Sequence, residues 1–219
     1  AWIERYIYRN ADGIFGQSEE IIRHVNQFPS TKNKFVYRNL QQYAVAAQPK
    51  RKHTPFRIVY AGLLGVAQDI YSIIENIPFQ SIGAEFHLYG GGNQTEKIKE
   101  YINKHPGCFV YYHGYVKKKQ IAEELSRYDA SIVPLTVAIK GAVPSKIYDL
   151  IPIGIPILFC GGGEGAEIVS KYYFGMVSKP HDFKQLHNNI IELINLPDEE
   201  YSTISKNCLD MAKNEFDFN

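Results

Sequence analysis

From Phe56 onward, the sequence alternates between short apolar segments and amphipathic segments, with glycine-containing turns between them. The apolar segments have the length and composition of buried strands, as at Phe56–Tyr60. The segments between them repeat apolar residues at helical spacing, as at Ile70, Ile73, Ile74 and Ile77. Strands that alternate with helices indicate βαβ units. The pattern therefore predicts an α/β fold with a doubly wound, mostly parallel sheet and helices on both faces.

The same patterns give a boundary for each element. Strands are predicted at Gly13–Ser18 (as a buried strand), Lys34–Tyr37, Phe56–Tyr60, Ala84–Tyr89, Phe109–His113, Ala130–Pro134, Ile155–Phe159 and Gly175–Val177. Helices are predicted in 1–10, after Ser18, around 70–77, at Thr95–Lys104 and Lys118–Tyr128, after Pro144, around 166–169, after Asp182 and at Glu199–Asn214.

A polar segment divides the chain. Gln41 to Pro55 reads as a linker, and its basic cluster at 50–52 is interpreted as solvated. We predict one domain over 49–219 and, over 1–48, the tail of a preceding domain with the linker. The chain starts at Ala1 and not at Met, which suggests a fragment of a longer protein.

Composition narrows the function classes. The 219 residues carry a formal net charge of +1, which argues against a nucleic-acid partner. The three cysteines and seven histidines lack metal-ligand spacing, so we expect no metal site. No apolar stretch is long enough to span a bilayer. We expect a cytoplasmic protein, with association at a membrane surface as an open alternative.

The glycine-rich turns predict where a ligand binds. In open α/β sheets, ligands bind outside the carboxyl ends of the strands, and these turns lie there. After Pro144, Ser145 and Lys146 open a short helix. A lysine is unfavourable at a helix start unless an anion binds there too. The pattern thus indicates a crevice for a nucleotide or phosphate, although a capping serine and a solvated lysine would give the same sequence.

Four pieces of sequence, in this order, resemble a known family. They are Ile58–Gly65, Phe86–Gly92, Val110–Val116 with Tyr128–Leu135, and Pro144–Asp149 with Gly154–Pro156 and Gly163–Val169. The ordered set resembles the donor-binding half of GT-B glycosyltransferases, close to glycosyltransferase family 4. Residues 11–18 and 36–39 loosely resemble that family's hinge region.

The resemblance implies transfer of a sugar from a nucleoside-diphosphate sugar to a saccharide or lipid-linked saccharide acceptor, with retention, in a setting such as polysaccharide biosynthesis. It implies a Rossmann-like C-terminal domain and a missing N-terminal domain that holds the acceptor. The donor is a substrate, so no cofactor is implied. A fragment without the acceptor half should bind donor but transfer poorly.

The resemblance also implies roles for individual residues. Asp149 would bind the ribose hydroxyls, although a surface or capping aspartate is the alternative. Lys146 would be catalytic and would bind the diphosphate together with Ser145. The other implied donor-binding residues are Gly62 and Gly65 in the first turn, Gly90, His113 and Val116 near the base, and Gly141 and Val143 near the sugar. His113 could equally be a hydrogen-bonded histidine at a strand end.

The sequence departs from the family at two places. An acid is expected eight positions before Asp149, where Gly141 stands. The Arg and Lys expected after the first strand are absent, and Leu64 and Gln68 stand nearby. Two other hypotheses remain: a non-catalytic, degenerate transferase, and a dinucleotide-binding Rossmann enzyme that uses the glycines of 161–165.

Overall fold

The computed structural model describes residues 2–28, 33–37, 52–137 and 141–216. Every strand pairing within these ranges is parallel. The strands are β1 (Gly13–Gly16), β2 (Asn33–Val36), β3 (Phe56–Ala61), β4 (Ala84–Tyr89), β5 (Val110–Gly114), β6 (Ala130–Pro134), β7 (Ile157–Cys160) and β8 (Gly175–Ser178).

The α-helices alternate with these strands, as the sequence predicts. They are α1 (Trp2–Asn10), α2 (Glu19–Val25), α3 (Ile70–Asn76), α4 (Thr95–Lys104), α5 (Ile121–Leu125), α6 (Ser145–Leu150), α7 (Glu164–Lys171), α8 (Phe183–Asn195) and α9 (Asp198–Phe216). Short 3₁₀ segments lie at Phe79–Ile82, Lys118–Gln120 and Ile151–Ile153. Among the described residues, no helix combines the length and apolar character needed to cross a bilayer.

The strand order of the main sheet positions the ligand site. Its six strands lie in the order β5-β4-β3-β6-β7-β8. The chain builds outward from β3 to β5, returns to β6 beside β3, and then builds outward in the other direction. Between β3 and β6 the loops therefore leave toward opposite faces and open a crevice at the carboxyl ends of these strands. The loop after β3 begins at Gly62, and the loop after β6 leads to Gly141 and α6.

Each face of the main sheet has its own apolar core. Ile58 and Tyr60 of β3 contribute to a core with α3, α4, α8 and α9, whereas Val59 contributes to a core with α5, α6 and α7. Successive side chains of a strand point to opposite faces, so a strand in a sheet covered by helices on both faces is apolar on both sides. All four residues of β7 are buried for this reason. The predicted doubly wound fold is confirmed. The predicted domain boundary at residue 48 lies outside the described residues and stays a prediction.

The first segment is less buried than the sequence predicts. β1 and β2 form a separate two-stranded sheet, and Phe15 of β1 is 70% exposed. The prediction of a buried strand at Gly13–Ser18 is therefore wrong, since only Gly16 of β1 is buried. Its apolar residues stack on each other at the surface, with the rings of Phe15 and Phe35 5.3 Å apart.

Three local predictions also need correction. The helix predicted at Lys118–Tyr128 is a 3₁₀ turn followed by α5, which ends at Leu125. Ser145 is the first residue of α6, not its N-cap, and Pro144 holds the capping position without a side-chain bond. Lys52 is not solvated. Its ammonium donates to the Ile194 and Leu196 carbonyls at the end of α8. The rest of the predicted linker, 38–51, lies outside the described residues.

A buried aspartate joins the elements at the amino edge of the main sheet, which is the end at which its parallel strands begin. Asp129 is fully buried and accepts hydrogen bonds from the backbone N–H groups of His53 and Arg57, at 3.1 Å and 2.7 Å. The His53 ring lies 2.7 Å from the same carboxylate, and Tyr201 donates to the Asp129 carbonyl at 2.8 Å. These bonds join the start of β3, β6 and α9 at the end of the sheet opposite the ligand crevice.

The three cysteines are free thiols. Cys160 and Cys208 are buried in the core, and burial raises the pKa of the Cys160 thiol to about 12. Cys108 is half-buried and lies before β5 at the amino edge of the sheet. The described residues contain no cluster of His, Cys, Asp and Glu side chains that could hold a metal ion.

Candidate functional site

The floor of the site is made of glycine backbone at the carboxyl ends of β3, β4 and β5. The Gly62 N–H donates to the Tyr89 carbonyl at 3.0 Å, and the Gly90 N–H donates to the Gly114 carbonyl at 2.7 Å. Gly90 has φ +116°, and its Cα packs so closely on the Gly62 carbonyl that a Cβ there would overlap it. Only glycine permits this approach, which leaves room above the strand ends.

An open cleft of about 400 Å³ lies on this floor, within the size range of small-molecule sites. Its walls are mainly apolar. Three of the predicted donor-binding residues line it, namely Gly62, Gly90 and Val116. Leu63, Gly91 and Tyr115 also line it and lie in the glycine-rich turns where the sequence predicts a ligand. The sequence did not predict the other lining residues, which are Ala61, Tyr89 and Ile121.

Tyr115 is the most exposed part of this wall. It is 83% exposed, and its hydroxyl approaches Gly91, where a Cβ would overlap it. An exposed ring beside an apolar pocket offers a surface on which a flat base can stack. A tyrosine directly after the glycine of a strand-end turn was the available sequence signal for this residue.

His113 lies beside the cleft and does not line it. Its ring stacks on Tyr89 with centroids 4.7 Å apart, and its Nε2 lies 2.9 Å from Nδ1 of His87. Desolvation by burial lowers the pKa of both histidines. A neutral pair suits this contact, because one ring nitrogen must donate and the other accept. The alternative of a hydrogen-bonded strand-end histidine therefore describes the observed contacts of His113.

Lys146 crosses from the β6 side of the crevice to the β3 side. A Cβ at Gly62 would lie 2.5 Å from its Nζ, and the Tyr60 ring centroid is 5.5 Å from the same atom. Burial lowers the pKa of the Lys146 ammonium, and the nearby Asp149 carboxylate raises it by less. An incompletely compensated cation at the junction of two loops is suited to receive an anion.

The remaining residues of α6 agree with parts of the prediction. Asp149 follows Lys146 by one turn, on the same side of the helix, and is half-buried. Ser145 is exposed at the start of the helix. Val143 is partly buried against the core below α6 and α7, so its side chain supports the loop.

Two predicted donor-binding glycines lie apart from the cleft. Gly65 is buried in the turn after β3, and its carbonyl accepts the Gln68 and Asp69 N–H groups. Gly141 is buried against α2 of the first segment. The roles assigned to these residues stay predictions, as do those of Ser145, Lys146 and Asp149.

The geometry agrees with a comparison against protein families. Residues 43–211 match the family described as glycosyl transferases group 1. The chain belongs to this family. The match covers both sides of the crevice, and it favours a glycosyltransferase over the dinucleotide-binding hypothesis. A search of curated proteins gave no match.

Solved structures agree on the fold of this group 1 glycosyltransferase chain. It superposes on S. aureus TarM, solved with UDP, with a TM-score of 0.72 and 20% identity over 99% of this chain and 44% of TarM. Anabaena Alr3699/HepE, solved with UDP and glucose, superposes with a TM-score of 0.71 and 16% identity, over 99% of this chain and 62% of HepE. Sucrose-phosphate synthase from Thermosynechococcus elongatus superposes with a TM-score of 0.73 and 16% identity, over 97% of this chain and 56% of the synthase.

At these identities the likeness concerns the fold, which is the Rossmann-like domain of GT-B glycosyltransferases. The chain spans about half of the length of each of these solved chains.

Proposed function

We propose that this chain is the donor-binding part of a glycosyltransferase that uses a nucleoside-diphosphate sugar. The observation that carries the proposal is the position of Lys146, whose ammonium reaches across the crevice between β3 and β6 to the Gly62 turn, which lines the cleft at the carboxyl ends of β3, β4 and β5. An apolar cleft over a glycine floor suits a base, and a half-buried cation beside it suits a diphosphate.

The donor is placed by the chemistry of each part. The base lies in the cleft between Tyr115 and Val116, over the glycine backbone. The ribose hydroxyls donate to the Asp149 carboxylate, since a carboxylate can accept from both hydroxyls of a diol. The diphosphate binds Lys146, together with backbone N–H groups at the start of α6. Because TarM and HepE were solved with UDP, uracil is the base that we propose.

The proposed reaction breaks the bond between the anomeric carbon and the diphosphate oxygen. A new bond forms between that carbon and an acceptor hydroxyl, which loses its proton. Negative charge develops on the departing diphosphate, and the Lys146 ammonium stabilises it without reorganisation. The acceptor, a saccharide or a lipid-linked saccharide, binds on the preceding domain, and we propose that transfer proceeds with retention.

A titration of the full-length protein with UDP, GDP and NAD, followed by calorimetry, tests the proposal. We expect saturable binding of UDP, weaker binding of GDP and none of NAD. The Asp149→Asn variant should bind UDP about tenfold more weakly, since it loses a charge-assisted hydrogen bond. Asp210→Asn, on the surface of α9, is the matched control. Binding of NAD alone, or UDP binding that is indifferent to Asp149, contradicts the proposal.

Turnover separates an enzyme from a degenerate transferase. Release of UDP from UDP-sugars by the full-length protein, with an acceptor mixture, supports catalysis. Tight UDP binding without any release, across a panel of donors and acceptors, would instead indicate a binding protein that kept the donor site.

A further inference from the structure

The first turn of α2 binds both backbone groups of Gly141. The Ser18 hydroxyl, which is fully buried, donates to the Gly141 carbonyl at 2.8 Å. The Gly141 N–H donates to Oε2 of Glu20 at 2.6 Å. The two contacts join parts of the chain that are more than a hundred residues apart. Contacts from the first segment therefore help to fix the loop that leads to Lys146.

A side chain at position 141 would be strained while α2 is in place. Gly141 has φ +77°, and a Cβ there would lie 2.6 Å from Cγ1 of Ile21. The acid that the family resemblance implies at this position would thus meet both an unfavourable backbone conformation and the Ile21 side chain. The element that fills the space brings a carboxylate of its own, on Glu20.

A second, buried carboxylate holds Glu20 in position. Glu164, at the start of α7, is 6% exposed, and its two oxygens accept the Glu19 and Glu20 N–H groups at 2.9 Å each. Hydrogen bonds from two adjacent N–H groups to one carboxylate fix both distance and orientation. Gly165 packs on Pro144, so the same turn also contacts the segment before Lys146.

We propose that Glu20 is a donor-recognition residue, which supplies from α2 the carboxylate that is absent at Gly141 and accepts a hydroxyl of the donor sugar. Glu164 is its positioning residue. This inference rests on the proposed function. One oxygen of Glu20 holds the Gly141 N–H, whereas Oε1 has no hydrogen-bond or ion-pair partner within the described parts of the chain.

The place of Glu20 agrees with the order of groups in such a donor. The sugar follows the diphosphate, and Gly141 lies five positions before Lys146, the residue that we assign to the diphosphate. A sugar offers a row of hydroxyl donors, and a carboxylate oxygen is the strongest neutral-pH acceptor that a side chain provides for them.

The test compares UDP with UDP-sugars in the full-length protein. The Glu20→Gln variant keeps an oxygen for the Gly141 N–H and loses only the charge. We expect its affinity for UDP to stay within about twofold of wild type, whereas the affinity for the best-bound of UDP-glucose and UDP-N-acetylglucosamine falls about tenfold. Glu19→Gln, on the exposed neighbour, should change neither.

A second variant tests the positioning role. Glu164→Gln should reproduce the selective loss of UDP-sugar affinity, with UDP affinity unchanged at a temperature where the variant is folded. Equal weakening of UDP and UDP-sugar, or no difference between Glu20→Gln and Glu19→Gln, would overturn the inference and leave the proposed function intact. If the wild type binds no nucleoside diphosphate, both the proposed function and the inference fall.

Discussion

Replacing Lys146 by methionine should separate binding from stability. Methionine keeps most of the apolar stem and removes the ammonium that approaches Gly62. If this group binds the diphosphate, the variant loses a charge-assisted interaction of about 1.5–3 kcal/mol, so its Kd for UDP should rise roughly 10- to 150-fold.

The stability of the same variant should change little. Loss of the contact between the ammonium and the Tyr60 ring, 5.5 Å away, costs about 0.5–1 kcal/mol. Loss of the desolvation penalty acts in the opposite direction, since burial is the larger influence on the Lys146 pKa. We therefore expect the free energy of unfolding to stay within about 1 kcal/mol of wild type.

The pH dependence gives a further signature. Burial lowers the Lys146 pKa in the folded protein, so between that lowered pKa and the ordinary pKa of a lysine the unfolded chain binds more protons. The contribution of Lys146 to wild-type stability should therefore rise with pH in this alkaline window. UDP favours the protonated lysine, so UDP affinity should fall with rising pH in the same window.

Denaturant unfolding and UDP calorimetry from pH 7 upward measure both effects. Lys146→Met should remove the Lys146 contribution to both pH dependences, which the difference between wild type and variant separates from the titration of the buried tyrosines. Lys206→Met, on the exposed surface of α9, should leave both pH dependences unchanged. The reasoning fails if Lys146→Met is strongly destabilised while it binds UDP as tightly as wild type, because Lys146 would then serve the fold alone.

Two further substitutions test the floor of the site and the opposite end of the sheet. Gly62→Ala places a Cβ 2.5 Å from the Lys146 ammonium, so UDP binding measured by calorimetry should weaken about tenfold. Gly83→Ala, at a positive φ with open space around it, should lower stability by about 1 kcal/mol and leave UDP binding unchanged. Asp129→Asn replaces an acceptor of two backbone N–H groups in a fully buried position, and urea unfolding should show a loss of about 3 kcal/mol. A loss below about 0.5 kcal/mol would contradict the role assigned to Asp129 at the amino edge.

The sequence predicted the main sheet well, because its signals are local. The bounds of β4 at Ala84–Tyr89, α4 at Thr95–Lys104 and β6 at Ala130–Pro134 agree with the prediction. A strand buried on both faces must be apolar throughout, and glycines mark the turns that follow it. The prediction that β1 is buried was wrong because an apolar strand on the surface can have the same composition as a buried strand.

The candidate site was predicted in part for a related reason. Parallel strands bring all their carboxyl ends to one edge, so the turns at Gly62, Gly90 and Val116 had to meet there. The contacts of Glu20 with Gly141 and of Glu164 with the start of α2 depend on how the first segment packs on the main domain. These residues are far apart in the sequence, and no periodicity in the sequence encodes their contact.

The distribution of the cysteines makes the molecule convenient for spectroscopy. Cys160 and Cys208 are buried in the core, so the half-buried Cys108 is the most accessible of the three thiols for a maleimide reagent. This thiol precedes β5 at the amino edge, at the opposite end of the sheet from the cleft. A fluorophore or spin label attached there would report tumbling of the native sequence, while the cleft stays free of the probe.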